Sequence, residues 1–220
     1  MSPPALLRAL FPAYAFRRAA CTVLQSRPAA PDWPELWRDS QAEQQRLREG
    51  RTGRHAPGLY LLLRYLEWDC ALYLVLRRRG WSEADAGAAI TEINWAILGP
   101  PIALAHALSR LRSGQAGRRV AWLLDALFLL VFTAPFRRRA VPPGQGLSFD
   151  VLVCPLADYF RRQGLPELTH HAACQLDYRM ARDWGVQLHR RQTLAGGGDH
   201  CDFRFRVVVE DPQRDASRPS

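Results

Sequence analysis

Residues 186–209 read VQLHRRQTLAGGGDHCDFRFRVVV. Val186 to Leu194 and Cys201 to Val209 both have strand character. In the second run Cys201, Phe203, Phe205, Val207 and Val209 alternate with Asp202, Arg204 and Arg206, and a period of two sends the first set to a buried face and the second away from it. Between the runs Ala195, Gly196, Gly197, Gly198, Asp199 and His200 supply the small, turn-forming residues of a hairpin connection. An antiparallel hairpin at this end of a chain whose earlier periodicity is helical decides the fold class as α+β.

Working backward, Leu147, Phe149, Val151 and Val153 alternate with more polar neighbours and predict a third strand. Pro155 stands where a helix starts and Gly164 where it stops, and Pro166 opens a second helix that Trp184 and Gly185 end. Residues 147–209 thus form a sheet-containing lobe, and residues 59–139 a helical one. There, Leu59 to Leu76 is apolar nearly all round, with Arg64 and Glu67 spaced to pair on one face. Ser82 and Asp85 have capping-box spacing for a helix to about Leu98. Gly99, Pro100 and Pro101 predict a break, followed by a short helix to Leu111. Residues 59–209 therefore read as a single domain, an N-terminal helical lobe packed with an antiparallel sheet and helices. Residues 1–58 are poorly committed, with short helices around Ala5 to Leu24 and Pro34 to Arg48 and a loop-like Gly50 to Gly58. Residues 210–220 read as a flexible tail.

Composition narrows the function. With 48% hydrophobic residues the chain buries a real core, which excludes a disordered protein. Five cysteines, an odd number with no two separated by only two residues, exclude a disulfide framework and a zinc knuckle, so a reducing cytoplasm is the default compartment. The formal charge is +9, yet all 30 basic residues are arginine. Short arginine runs at the ends of apolar segments suit solvated helix ends, so no nucleic-acid partner is inferred. Val120 to Phe136 is apolar except for Asp125 and Thr133 and is flanked by Arg118, Arg119 and Arg137 to Arg139. It falls short of the roughly 20 apolar residues a spanning helix needs. We read it as a buried helix with Asp125 paired, with peripheral membrane contact as the competing reading. Nothing in the sequence points to a particular oligomeric state.

Three cysteines occupy chemically informative positions. Cys154 ends a strand just before a proline-started helix, where free amide groups and the helix dipole stabilise thiolate and lower a thiol's pKa. Cys174 lies between His170 and Asp177 at spacings of four and three, which puts all three on one helical face. Cys201 opens a strand after the glycine turn, beside Asp199, His200 and Asp202. The one arrangement that uses all three thiols is a shared pocket at an end of the sheet, with Asp177 and His200 on its wall. Cys154, Cys174, His200 and Cys201 would also suit zinc, but no compact ligand pair supports a metal, and no cofactor is implied.

Three ordered blocks carry a family resemblance: Phe149-Asp150-Val151 leading to Cys154-Pro155-Leu156-Ala157-Asp158-Tyr159-Phe160, then Cys174-Gln175-Leu176-Asp177-Tyr178, then Thr193 through Phe205. Together they resemble the L-2-amino-thiazoline-4-carboxylic acid hydrolase family. The resemblance implies a hydrolase that opens a small cyclic amidine by water addition at C2, giving an N-carbamoyl-cysteine. Asp177 or His200 would be the base, and Cys154, Cys174 or Cys201 the nucleophile or acid. His170, Gly197, Gly198 and Asp199 would line the substrate, and Arg204 would hold its carboxylate. The glycine turn followed by Cys-x-Phe is also similar to small ligand-binding domains of the vinyl-reductase type, which makes a non-catalytic small-molecule binder the alternative.

Overall fold

Two hydrophobic cores, one helical and one against a sheet, share Cys154 at their seam. The computed structural model describes residues 12–27, 30–49, 57–142 and 147–207. The expected tail at 210–220, residues 50–56 of the loop expected over Gly50 to Gly58, and the ends of two predicted segments (5–11 and 208–209) lie outside the described residues, while Pro57 and Gly58 open a helix rather than end that loop.

The first core gathers α1 (Pro12–Gln25), α2 (Trp33–Glu49), α3 (Pro57–Arg78) and the first half of α4 (Glu83–Ser109). Phe16, Ala20 and Leu24 of α1 and Leu36 and Trp37 of α2 are buried in it. Trp37 stacks on Trp68 with ring centroids 4.7 Å apart, and Phe16 stacks on the other side of the same indole. Stacked aromatics add to the burial of their large apolar area, so the N-terminal helices are fastened to α3. α4 begins as its spacing predicts: Ser82 Oγ accepts from the Asp85 amide at 3.0 Å. The predicted break does not occur, because α4 runs on through Pro100 and Pro101 to Ser109. Each proline withholds a donor from the carbonyl four residues back. Those carbonyls belong to Ala96 and Ile97, on a half of the helix open enough for water to serve them.

The second core lies between α5 (Ala116–Leu130) and a four-stranded antiparallel sheet. The predicted buried helix over Val120 to Phe136 is shorter and more exposed than expected. It stops at Leu130, and only Val120, Leu123 and Leu124 are buried while Leu129 and Leu130 face outward. Asp125 is paired, with Arg138 at 2.5 Å, but on the surface, its side chain 60% exposed. The arginines after Phe136 form strand β1 (Arg137–Ala140) rather than a solvated helix end. β2 (Ser148–Val153), β3 (Val186–His189) and β4 (Cys201–Val207) complete the sheet in the order β1-β2-β4-β3. The hairpin forms as the alternation predicts, although β3 ends at His189 and the connection is longer than the glycine turn alone.

α6 (Pro155–Arg162), which follows β2, buries Leu156, Tyr159 and Phe160 in the first core, and α7 (Gln175–Asp183) packs on β3. A π-helical turn, His170–Cys174, precedes α7. In it the Gln175 amide donates to the His170 carbonyl, five residues back, which inserts one residue into the helical repeat.

Candidate functional site

The register of the sheet builds one wall of a cavity. Phe149 pairs with Phe203 and Val151 with Cys201 across β2 and β4. These four side chains project to the α5 side, and Phe149 and Phe203 stack at 5.1 Å. Leu124, Leu127 and Phe128 of α5 and Phe132 and Phe136 beyond it form the opposite wall. The π-turn and α7 bring Thr169, Cys174, Asp177 and Met180 to the remaining side, and Cys154 closes the strand-to-helix corner. The enclosed space is about 80 Å³, lined mainly by apolar atoms.

Four predicted residues meet here: Cys154, Cys174, Cys201 and Asp177. Two further polar members, Thr169 and Arg190, are not among the residues the sequence singles out, and Arg190 is the charged one. Its side chain is 2% exposed, its guanidinium donates to Asp177 Oδ2 at 2.8 Å and to the Cys174 carbonyl at 3.1 Å, and it lies over the rings of Tyr178 and Phe203. A signal existed: Val186, Leu188 and Arg190 are in phase, so the alternation that buries the first two turns Arg190 the same way.

Burial dominates the ionisation of the group. Asp177 is pushed above the ordinary carboxyl range by desolvation, while Arg190 pulls the other way. The expected low pKa of Cys154 is not what the site produces. The amides of Ala157 and Leu156 do favour its thiolate, but desolvation outweighs them and raises the thiol to about 11. Cys174 is raised to about 12 by burial and by the charge of Asp177. Cys201 is also raised by burial, although its Sγ accepts from the Leu194 amide at 3.2 Å. At neutral pH the three thiols are protonated. Two polar atoms in the lining, Arg190 Nε and Thr169 Oγ1, are buried and make no hydrogen bond within the described residues.

The other predicted site residues lie elsewhere. His200 precedes β4 on the outer side of the sheet, its Nδ1 2.6 Å from Asp199 Oδ1 and its Nε2 3.7 Å from Asp150 Oδ1. The set Cys154, Cys174, His200 and Cys201 is therefore not assembled around one point. Arg204 is on that outer side too, donating to Asp150 Oδ1 at 2.7 Å, with Arg139 on Oδ2 at 2.9 Å. Burial raises the Asp150 pKa, but the two guanidinium groups outweigh it and hold the carboxyl below its usual value. Arg204 is thus committed to Asp150 and remote from the thiols. His170 is exposed, with its ring against Gln175. Gly197 adopts φ +86°, and a Cβ on Gly198 would meet the Gln192 side chain at 2.8 Å. These glycines serve the turn, and neither they nor Asp199 line the cavity. The outward Asp202 accepts from the amides of Arg191 and Gln192, both at 2.9 Å, and fixes the connection from β3.

No curated protein matches the chain. Residues 125–205, which hold every residue lining the cavity except Leu124, match the model of the L-2-amino-thiazoline-4-carboxylic acid hydrolase family.

Proposed function

We propose that the cavity binds a small zwitterionic cyclic amidine, such as a 2-aminothiazoline carboxylate, and that Asp177 activates the water that opens its ring. The observation that carries this reading is the ion pair of Asp177 and Arg190 set among apolar walls. A carboxylate and a guanidinium side by side match a ligand with one amidinium and one carboxylate. The ligand carboxylate would take the free donor at Arg190 Nε, and the amidinium would sit against Asp177. A carboxylate with a raised pKa is a stronger base than an exposed one. It accepts a proton from water as the water oxygen bonds to C2. The C2–S bond then breaks as the C2 hydroxyl loses its proton to solvent and becomes the carbonyl, and the proton held by Asp177 passes to sulfur, leaving a carbamoyl amine and a free thiol.

The protonated state of Cys154, Cys174 and Cys201 favours water over a thiolate as the nucleophile. The name of the matched family supports hydrolysis of this ring. The test is incubation of the purified chain with 2-aminothiazoline-4-carboxylate and mass analysis for a product heavier by one water. Asp177→Asn is expected to abolish turnover, and Arg190→Gln chiefly to raise KM. Saturable binding without a hydrated product, in wild type and variants alike, would leave a binding domain and overturn the catalytic reading.

A further inference from the structure

The second half of α4 touches the first core through Ile97 and the second through Ile102 and Ala105, and leaves its other face open. Between Glu92 and Arg110 the chain carries no Asp, Glu, Lys or Arg. His106, the one ionisable side chain in that run, has its pKa lowered by burial and by Arg119 and Arg110. Leu104 and Leu108 are one turn apart on α4, and Leu111 follows in the turn after Ser109, its amide bonded to the Leu108 carbonyl. They are 61%, 56% and 88% exposed, well beyond the scattered single leucines of an ordinary surface. The first half of α4 is different: Ala86, Ala89, Ile90 and Ile93 are buried. α4 is also the one helix among the described residues long and apolar enough to cross a membrane, but its buried first half fastens it to the helical core.

The charge beside the stripe is mainly positive, with Asp183 the carboxylate that acts on His106. Arg110 and Arg112 follow α4, and Arg118 and Arg119 open α5. None of the four makes an ion pair among the described residues, although ten other arginines do. Arg112, Arg118 and Arg119 share a surface hollow with Trp122, and the Arg112 guanidinium lies 5.3 Å from the indole centroid. Exposed leucines, a half-exposed tryptophan and unpaired arginines are the elements of an interfacial helix. The leucines enter the acyl boundary, the indole sits at headgroup depth and the cations meet lipid phosphate. A symmetric contact between two copies of the chain would instead bring the unpaired arginines of one copy towards those of the other.

We propose that the second half of α4 and the start of α5 form a docking surface for an anionic phospholipid bilayer. Leu104, Leu108 and Leu111 insert, and Arg110, Arg112 and Arg118 engage the headgroup phosphates, while Arg119 donates to the Ser113 and Gly114 carbonyls and holds the turn between α4 and α5. This is independent of the ring-opening reading, since none of these residues lines the cavity.

The experiment is flotation of the full chain with phosphatidylcholine vesicles, with and without phosphatidylglycerol. Wild type should float with the anionic vesicles about tenfold or more better than with the neutral ones, and high salt should weaken the difference. Leu104→Glu with Leu108→Glu should abolish flotation, and Arg112→Gln with Arg118→Gln should remove the preference for anionic lipid. Circular dichroism and the thermal midpoint check that both variants are folded. Wild type in vesicles of brominated lipid gives a readout without the leucine or arginine variants: its fluorescence should be quenched, and Trp122→Phe should lose part of that quenching. Wild type that stays unbound at low salt overturns the proposal, and so does equal flotation on neutral vesicles. A dimer that Leu108→Glu splits, with no vesicle binding, also overturns it and assigns the stripe to a second copy of the chain.

Discussion

Arg190 meets a carboxylate, a carbonyl and two aromatic rings, and its burial makes each contact costly to lose. Removing one member of a buried ion pair leaves the other charge desolvated, so Arg190→Leu should destabilise the chain by about 3–5 kcal/mol in urea unfolding. Pairing it with Asp177→Asn should cost less than the sum of the two single changes, which a double-mutant cycle reads directly. The thiols give a second expectation at this scale. A thiol raised to about 11 or 12 is almost wholly protonated at pH 8. Iodoacetamide should therefore modify Cys154 and Cys174 in native protein far more slowly than an unfolded control, with the rate climbing as pH rises towards those values. Peptide mapping at pH 8 and pH 10 checks this, and fast labelling at pH 8 would contradict it. Cys154 and Cys201 were legible because each stands at the boundary of an element, and Cys174 and Asp177 because a spacing of three puts them on one helical face. His200 falls outside the cavity for a local reason. It is next to Cys201, and neighbouring residues at a strand end face opposite sides.

The π-turn is the element that joins the two cores. Its residues present carbonyls to α4: Thr91 Oγ1 donates to the His171 carbonyl at 2.8 Å, and Asn94 Nδ2 to the Ala172 carbonyl at 3.2 Å. Gly87 allows the approach, because a Cβ there would lie 2.4 to 2.6 Å from three atoms of the His171 ring. Gly87→Ala should cost about 1–3 kcal/mol through this overlap, and adding His171→Ala should recover most of the loss in the same unfolding assay. Failure of the second change to rescue would mean that the helix backbone, not the ring, sets the cost. The helices and three strands were readable because their periodicity and caps are local. The π-turn was not, since five residues of ordinary helical propensity acquire it only from what α4 offers. β1 was also hidden: its three arginines read as solvated, and they form a strand because β2 pairs with them and Asp150 and Asp125 take Arg139 and Arg138.

For the whole molecule, the buried carboxyl of Asp69 makes stability depend on pH. Desolvation raises it to about 8 against an ordinary value of 3.8, although the Asn94 hydrogen bond to Oδ2 acts the other way. The folded chain holds this proton over a range in which the unfolded chain releases it. The contribution is complete below pH 4 and is lost as pH rises towards 8, by about 1.4 kcal/mol per pH unit. Unfolding free energies at pH 5 and 7.5 should show wild type losing stability relative to Asp69→Asn, and parallel curves would show that Asp69 is ionised in the fold. The overall α+β plan was visible from alternation followed backward through proline and glycine punctuation. How closely the helical half supports the sheet half was not, because Asp69, Asn94 and the Ala172 carbonyl are brought together from distant positions in the chain.

The extra residue in the turn before α7 can also be stated as an edit to the gene. An in-frame loss of one codon between His170 and Cys174 would restore a regular repeat, and the helix would survive. The widened turn would close, and the carbonyls it now turns towards Thr91 and Asn94 would be taken up by the helix's own amides, so the helix could keep Asp177 on Arg190 only by giving up its grip on α4. Length in this segment should therefore be inherited more strictly than residue identity, with substitutions accumulating where insertions and deletions do not.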